Sequence, residues 1–132
     1  MEPIVLDYHK DEELFNKTAK EWAEKIGADK KFGVQNTQMR KFYDKVLELN
    51  DKAKRTTNEE FGDEILPFVK MLNSKVAYAS QRSSGSGKIV NSAFVSMINS
   101  CVNQIDKKED LNTFKLFFEA LVGFHKALDG RN

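Results

Sequence analysis

Apolar side chains recur every three to four positions along this chain, in five stretches separated by polar punctuation. That period marks helices with one buried face, and strand-like alternation is almost absent. The first stretch runs from about Asp11 to Ile26, with Leu14, Phe15, Thr18, Ala19, Trp22 and Ile26 on one face. Asp11 stands ready to cap it, Glu12 and Glu13 suit the positive end of the helix dipole, and Gly27 is a natural stop. "GADKKFGVQN" then reads as a loop.

The second helix is expected from about Thr37 to Lys54, with Met39, Phe42, Tyr43, Val46, Leu49 and Ala53 as its stripe. Arg40, Lys41, Lys45 and Lys52 lie outside that stripe. The third opens with "TNEE", where Thr57 and Glu60 fit a capping box, and continues to about Gln81. Its core face is Phe61, Ile65, Val69, Leu72, Val76 and Ala79. Pro67 lies inside this pattern, which implies either a kink or a fresh start near Leu66. The fourth is expected from about Lys88 to Ile105, carrying Val90, Phe94, Met97, Ile98, Cys101, Val102 and Ile105. The fifth runs from about Leu111 to Leu128, with Asp110 as cap. Its apolar arc is broad: Leu111, Phe114, Phe117, Phe118, Leu121, Val122, Phe124 and Leu128. Such an arc suits a central helix buried by its neighbours, or a helix that partly meets another subunit.

The fold expected is a single all-α domain over residues 1–132, a compact bundle of about five helices. Its N-terminal helix and loop, 1–34, are open to loose attachment beside a core over 35–128. Length and composition agree: 132 residues, 40% hydrophobic and 31% charged, give one soluble domain with a modest core. No apolar run is long enough for a membrane span, and "MEPIVLDYHKDEE" lacks the pattern of a secretory signal, so a cytoplasmic location is expected. Cys101 is the lone cysteine, which excludes an internal disulfide and a cysteine-based zinc site. The formal net charge is +1, so a polyanion partner would have to be met by a local stripe of charge.

Such a stripe can be drawn on the third helix. At about 100° per residue, Met71, Lys75, Tyr78 and Arg82 fall in one narrow wedge beside the core face. Lysine and arginine placed so can meet phosphates, and tyrosine can stack. Snorkelling side chains that cover apolar surface would give the same spacing. Arg40, four residues before Asp44, can pair with it or meet a phosphate. The following "QRSSGSGK" ends like a nucleotide-phosphate loop, but Arg82 holds the first glycine's place and Ile89 that of the magnesium-binding hydroxyl. The run reads as a flexible connector whose Lys88 could settle on a polyanion or stay solvated.

Catalytic constellations are not evident. His9 lies near the N-terminus, and His125 lies at the edge of the fifth helix's arc without an oriented partner in that helix. "HKDEE" lacks metal-ligand spacing, and "DKKED" at 106–110 reads as a solvated turn. No catalytic residue, metal site or cofactor is therefore expected.

The segments "TQMRKFYDKV", "ILPFVKMLNSKVAYASQR" and "FKLFFEALVGFHKAL", in that order, resemble the small α-helical subunit of type III-A CRISPR effector complexes, the Csm complexes. The resemblance spans about 35–128. It implies a non-catalytic subunit, present in several copies beside a filament of backbone subunits and the large subunit. Its expected contacts are guide RNA paired to target RNA, reached through basic residues without reading sequence. Carried over residue by residue, it implies RNA contacts for Arg40 and Lys41, for Lys75 and Arg82, and for Lys126. Tyr78 joins them from the helical wheel, and Lys88 from the connector. Two other readings remain: a helical scaffold that binds only protein through the fifth helix, and a DNA-binding helix-turn-helix. The long polar connection after the second helix fits the latter poorly.

Overall fold

The computed structural model describes residues 3–28, 36–84, 87–88 and 90–129, with the side chains of Ser83, Ser84, Lys88 and Asp129 outside that description. Its α-helical segments are α1 (Ala19–Gly27), α2 (Asn36–Ala53), α3 (Asn58–Glu64), α4 (Leu66–Lys70), α5 (Leu72–Gln81), α6 (Ser92–Val102) and α7 (Lys108–Asp129). The fold is all-α. Its described strand pairing is one antiparallel ladder, β1 (Ser83–Ser84) with β2 (Gly87–Lys88).

α7 is the organising helix and packs most extensively against α1 and α2. Leu111, Phe114, Phe117, Phe118 and Leu121 are fully buried, while Val122 and Phe124 are partly buried against the same core. The broad arc is thus that of a central helix. Phe118 meets Phe94 of α6 at 6.2 Å, Tyr43 of α2 at 5.7 Å and Phe114 at 5.7 Å, and Phe42 of α2 meets Phe94 at 5.3 Å. Edge-on and tilted contacts of this kind are the favoured aromatic geometry and add to the stabilisation from burial.

The helix ends differ from expectation in ways that side-chain hydrogen bonds explain. Asp11 accepts a hydrogen bond from the Glu13 amide and one from the Thr18 hydroxyl, and the first turn is a π-turn over Leu14–Thr18 rather than α-helix. α6 starts at Ser92 rather than near Lys88. Asn91 is in extended conformation, its Oδ1 accepts from the Phe94 amide, and its Nδ2 donates to the Ile26 carbonyl at the end of α1. α7 starts at Lys108 rather than Leu111. Asp110 lies inside its first turn and reaches back to accept from the Asp106 and Lys107 amides.

Pro67 resolves as a fresh start. α3, opened by the full Thr57–Glu60 capping box, ends at Glu64, and α4 begins at Leu66 with proline in its first turn. Proline has no N–H to give the preceding turn, so the break falls there at little cost. A second interruption at Met71 separates α4 from α5. The core face survives both breaks: Phe61, Ile65, Val69, Leu72, Val76 and Ala79 are all buried.

The N-terminal segment is held more firmly than its sequence implies. Ile4 and Leu6 are buried, and Gln104 clamps them by donating to the Ile4 carbonyl and accepting from the Leu6 amide. Trp22, Ala23 and Ile26 of α1 belong to the common core.

A second clamp joins α2 to α7. The Tyr43 hydroxyl donates to Glu119 at 3.0 Å, and Lys115 pairs with the same carboxylate at 3.2 Å. Those two hydrogen bonds, Lys115's first, hold Glu119 below the usual carboxylate range. Burial, then the Glu119 hydrogen bond, raises the Tyr43 phenol to about 12. A raised folded value means the stabilisation is complete below the unfolded value near 10 and is lost as pH climbs towards 12. Urea denaturation followed across that window should show the stability gap between wild type and Tyr43→Phe shrinking with rising pH. Phe118→Ala should cost about 3–5 kcal/mol in the same assay, because it empties the centre of the aromatic cluster.

Candidate nucleic-acid interface

α2 and α5 lie side by side with an open groove of about 330 Å³ between them. Its floor is apolar: Phe42, Leu72 and Ala79 are the sides of core residues that face outward. Its walls carry four cations, Lys41 and Lys45 from α2 and Lys75 and Arg82 from α5 and its exit, together with Gln38 and Tyr78. No carboxylate among the described residues lines it.

Local structure explains each placement. Phe42 turns inward to meet Phe94, which rotates Lys41 and Lys45, one turn apart, onto the flank of α2 that faces α5. Leu72, Val76 and Ala79 turn the adjoining side of α5 into the core, which leaves Lys75 and Tyr78 outside. α5 ends at Gln81, and Arg82 leaves it in extended conformation with its guanidinium 5.6 Å over the Tyr78 ring. Tyr78 remains 67% exposed.

Charge balance in the groove is one-sided. Lys45 lies 3.6 Å from Glu48. Among the described residues, the Lys41 and Lys75 side chains have no ion pair or hydrogen bond, and the side-chain interaction found for Arg82 is with the Tyr78 ring. Four like charges beside an apolar floor make a place where a polyanion gains and a cation loses.

Of the residues nominated from sequence, Lys41, Lys75, Tyr78 and Arg82 come together here. Arg40 does not: it pairs with Asp44 at 3.2 Å, with both side chains more than half exposed, and rests 6.0 Å from the Tyr43 ring. Lys126 is exposed in the last turn of α7, away from the groove lining. The Lys88 side chain lies outside the described residues. Lys45 was passed over in the sequence, although Gln38, Lys41 and Lys45 recur at three- and four-residue spacing, which marks one ridge of α2.

The residues that could do chemistry are otherwise engaged. His125 is buried, with Nδ1 2.8 Å from Asn36 Oδ1, and His9 is exposed against the Tyr8 ring. Burial pushes the Cys101 thiol up, so it stays protonated. Among the described residues, no cluster of histidine, cysteine and carboxylate has metal-binding geometry, and no helix is long and apolar enough to cross a membrane.

A larger opening of about 630 Å³ lies where the N-terminal segment meets the ends of α2 and α7. It mixes signs: Lys54, Lys107 and Lys108 share it with Asp7, Glu109 and Asp110. Those carboxylates already accept from His9, Asn58 and the Asp106 and Lys107 amides, and Lys108 donates to the Thr56 carbonyl. Of the two openings, the α2–α5 groove is therefore the one whose described lining holds cations and no carboxylate.

These features define a small all-α protein with one cationic groove and no assembled catalytic group among the described residues. The chain belongs to the Csm2 type III-A family, whose model matches residues 9–131, and is thus the small subunit of a type III-A Csm complex. The match takes in α1 as well as the segments whose resemblance was visible from Gln35 onward. No curated protein and no solved structure matches the chain.

Lys41 and Lys45 are like charges at i and i+4, a pair that destabilises a helix by about 0.2–0.5 kcal/mol. Lys41→Gln should therefore raise stability towards urea by that amount at low salt, and the gain should vanish at high salt where the charges are screened.

Proposed function

We propose that this chain contacts RNA in its complex, gripping the backbone of guide and target RNA in the α2–α5 groove without reading sequence, and that it catalyses no step itself. The observation that carries this reading is the meeting of Lys41, Lys45, Lys75 and Arg82 in one groove with no carboxylate among its described lining. Phosphate contacts supply affinity and position but no base discrimination, which suits a subunit that must accept any target. Guide pairing then supplies the sequence reading, and cleavage falls to other subunits. A few contacts per copy suffice where several copies lie along one strand, because linked contacts add through avidity. The partners in this reading are RNA, further copies of the chain, and the backbone and large subunits of the complex, in the cytoplasm.

The burial of Cys101 and the buried contact of His125 with Asn36 support the non-catalytic part. The full burial of Leu111, Phe114, Phe117, Phe118 and Leu121 leaves only a minor part of the α7 arc for the protein-only adaptor reading.

Fluorescence anisotropy with a labelled RNA of arbitrary sequence tests this. The Lys75→Glu, Arg82→Glu variant should lose binding at least tenfold while keeping its helical circular dichroism. Wild-type affinity should fall with salt at a log–log slope of about −0.7 for each phosphate neutralised, so about −3 for four cations. Arg40→Glu and Lys126→Glu should bind nearly as wild type. Equal binding by all variants would move the RNA face elsewhere.

A further inference from the structure

We infer that the groove distinguishes RNA from DNA, with Gln38 and Tyr78 hydrogen-bonding ribose 2′-hydroxyls of paired, A-form RNA while the cations hold its phosphates. This deepens the RNA reading above and rests on it, because it names the sugar and the helical form that the groove takes.

Donors and acceptors separate the two kinds of contact. Phosphate oxygens only accept hydrogen bonds, and lysine and arginine only donate them. A site for phosphates alone would therefore need nothing but donors. Gln38 on one wall and Tyr78 on the other depart from that. Each can accept as well as donate, through the amide carbonyl and the phenol oxygen. The other described side chains of the lining are cationic or apolar, so these two supply its acceptors. Among the described residues, the Gln38 and Tyr78 side chains have no hydrogen-bond partner, which leaves that capacity open to a ligand. Along an RNA backbone the group that can donate is the 2′-hydroxyl, and DNA lacks it.

Placement fits the same ligand. On α2, Lys41 follows Gln38 by one turn and Lys45 comes one turn later. Across the groove, Tyr78 stands between Lys75 and Arg82, about one turn from each. Each neutral group thus has a cation within one turn on its own wall, as each ribose of a strand has a phosphate beside it. Arg82 lies 5.6 Å over the Tyr78 ring and takes one of its faces, which steadies the ring. The residue is still 67% exposed, so a ligand can reach the hydroxyl. Pairing leaves these contacts available. In an A-form duplex the wide, shallow minor groove displays 2′-hydroxyls beside the phosphates. Guide RNA paired to target RNA can therefore be held without opening it and without reading its bases.

Fluorescence anisotropy with the full chain compares two labelled duplexes of one arbitrary sequence: RNA–RNA, and the same duplex with 2′-fluoro riboses in both strands. The second keeps the A-form and every phosphate but has no hydroxyl to donate. Wild type should bind the RNA duplex at least about fivefold more tightly. Tyr78→Phe and Gln38→Met should each weaken RNA binding by about two- to tenfold, the range for one hydrogen bond. Both should leave 2′-fluoro binding and the salt slope unchanged, and the double variant should bind the two duplexes alike. Circular dichroism checks that the helices persist. Equal binding of both duplexes by wild type overturns the inference, and so does a preference that survives in the double variant. In either case, loss of binding in Lys75→Glu, Arg82→Glu keeps the phosphate groove. Failure to bind either duplex while single-stranded RNA still binds overturns the inference alone. Failure with every RNA overturns both readings.

Discussion

The edge-on packing of Phe42, Phe94 and Phe118 is the contact on which the arrangement depends. It joins the middles of α2 and α7 to the first turn of α6, with Tyr43 closing the set against Phe118. Phe42 and Tyr43 are adjacent residues, and their engagement with two different helices fixes the rotation of α2 about its axis. Once that rotation is set, Lys41 and Lys45 must lie on the α5 flank, and Asp44, Glu48 and Asp51 must face solvent. The groove is thus a consequence of core packing, and a change in the aromatic cluster would re-aim its cations without touching them.

Sign separation around α2 explains how a chain of net charge +1 presents a cationic surface. Asp44 is taken by Arg40, Glu48 by Lys45 and Lys52, and Asp51 by Lys54 at the edge of pairing distance. These exposed pairs contribute little stability each. Their electrostatic effect is larger than their energetic one, because they neutralise the solvent face and leave Lys41, Lys75 and Arg82 uncompensated. With screening over about 8 Å at physiological salt, a ligand in the groove senses those cations more than the remote balance. Mean composition is therefore a poor guide to such a surface.

The sequence was most legible where one helix alone decided the outcome. Phe61 to Ala79 could be read as a buried face because helical period persists across the breaks at Ile65 and Met71. Lys75, Tyr78 and Arg82 were legible as a ridge for the same reason. Helix ends were less so, since they turn on which polar side chain reaches back: Asn91 moved the start of α6, and Asp110 sits inside α7 rather than before it. The opposing wall was hidden because no periodicity says that α2 faces α5. Lys41 entered through family resemblance, and Lys45 was missed although it shares Lys41's ridge. Arg40, nominated beside Lys41, is turned a third of the way round the helix by its one-residue offset, onto Asp44.

Two stretches of the chain carry more aromatic and apolar surface than a solvated exterior needs, and the fold treats them oppositely. On α7, Phe114, Phe117 and Phe118 are wholly buried, because α1 and α2 close over the arc. On α4 and α5, Phe68, Met71 and Tyr78 stay in water although the core beneath them is complete. A polar residue at any of the three would satisfy the local helix at least as well and would lower the solvation cost. Local rules are broken in natural proteins chiefly where function compensates elsewhere. Of these three, Tyr78 lines the α2–α5 groove beside Lys75 and Arg82, so there an exposed ring and cations without a neighbouring carboxylate among the described residues fall on the same face.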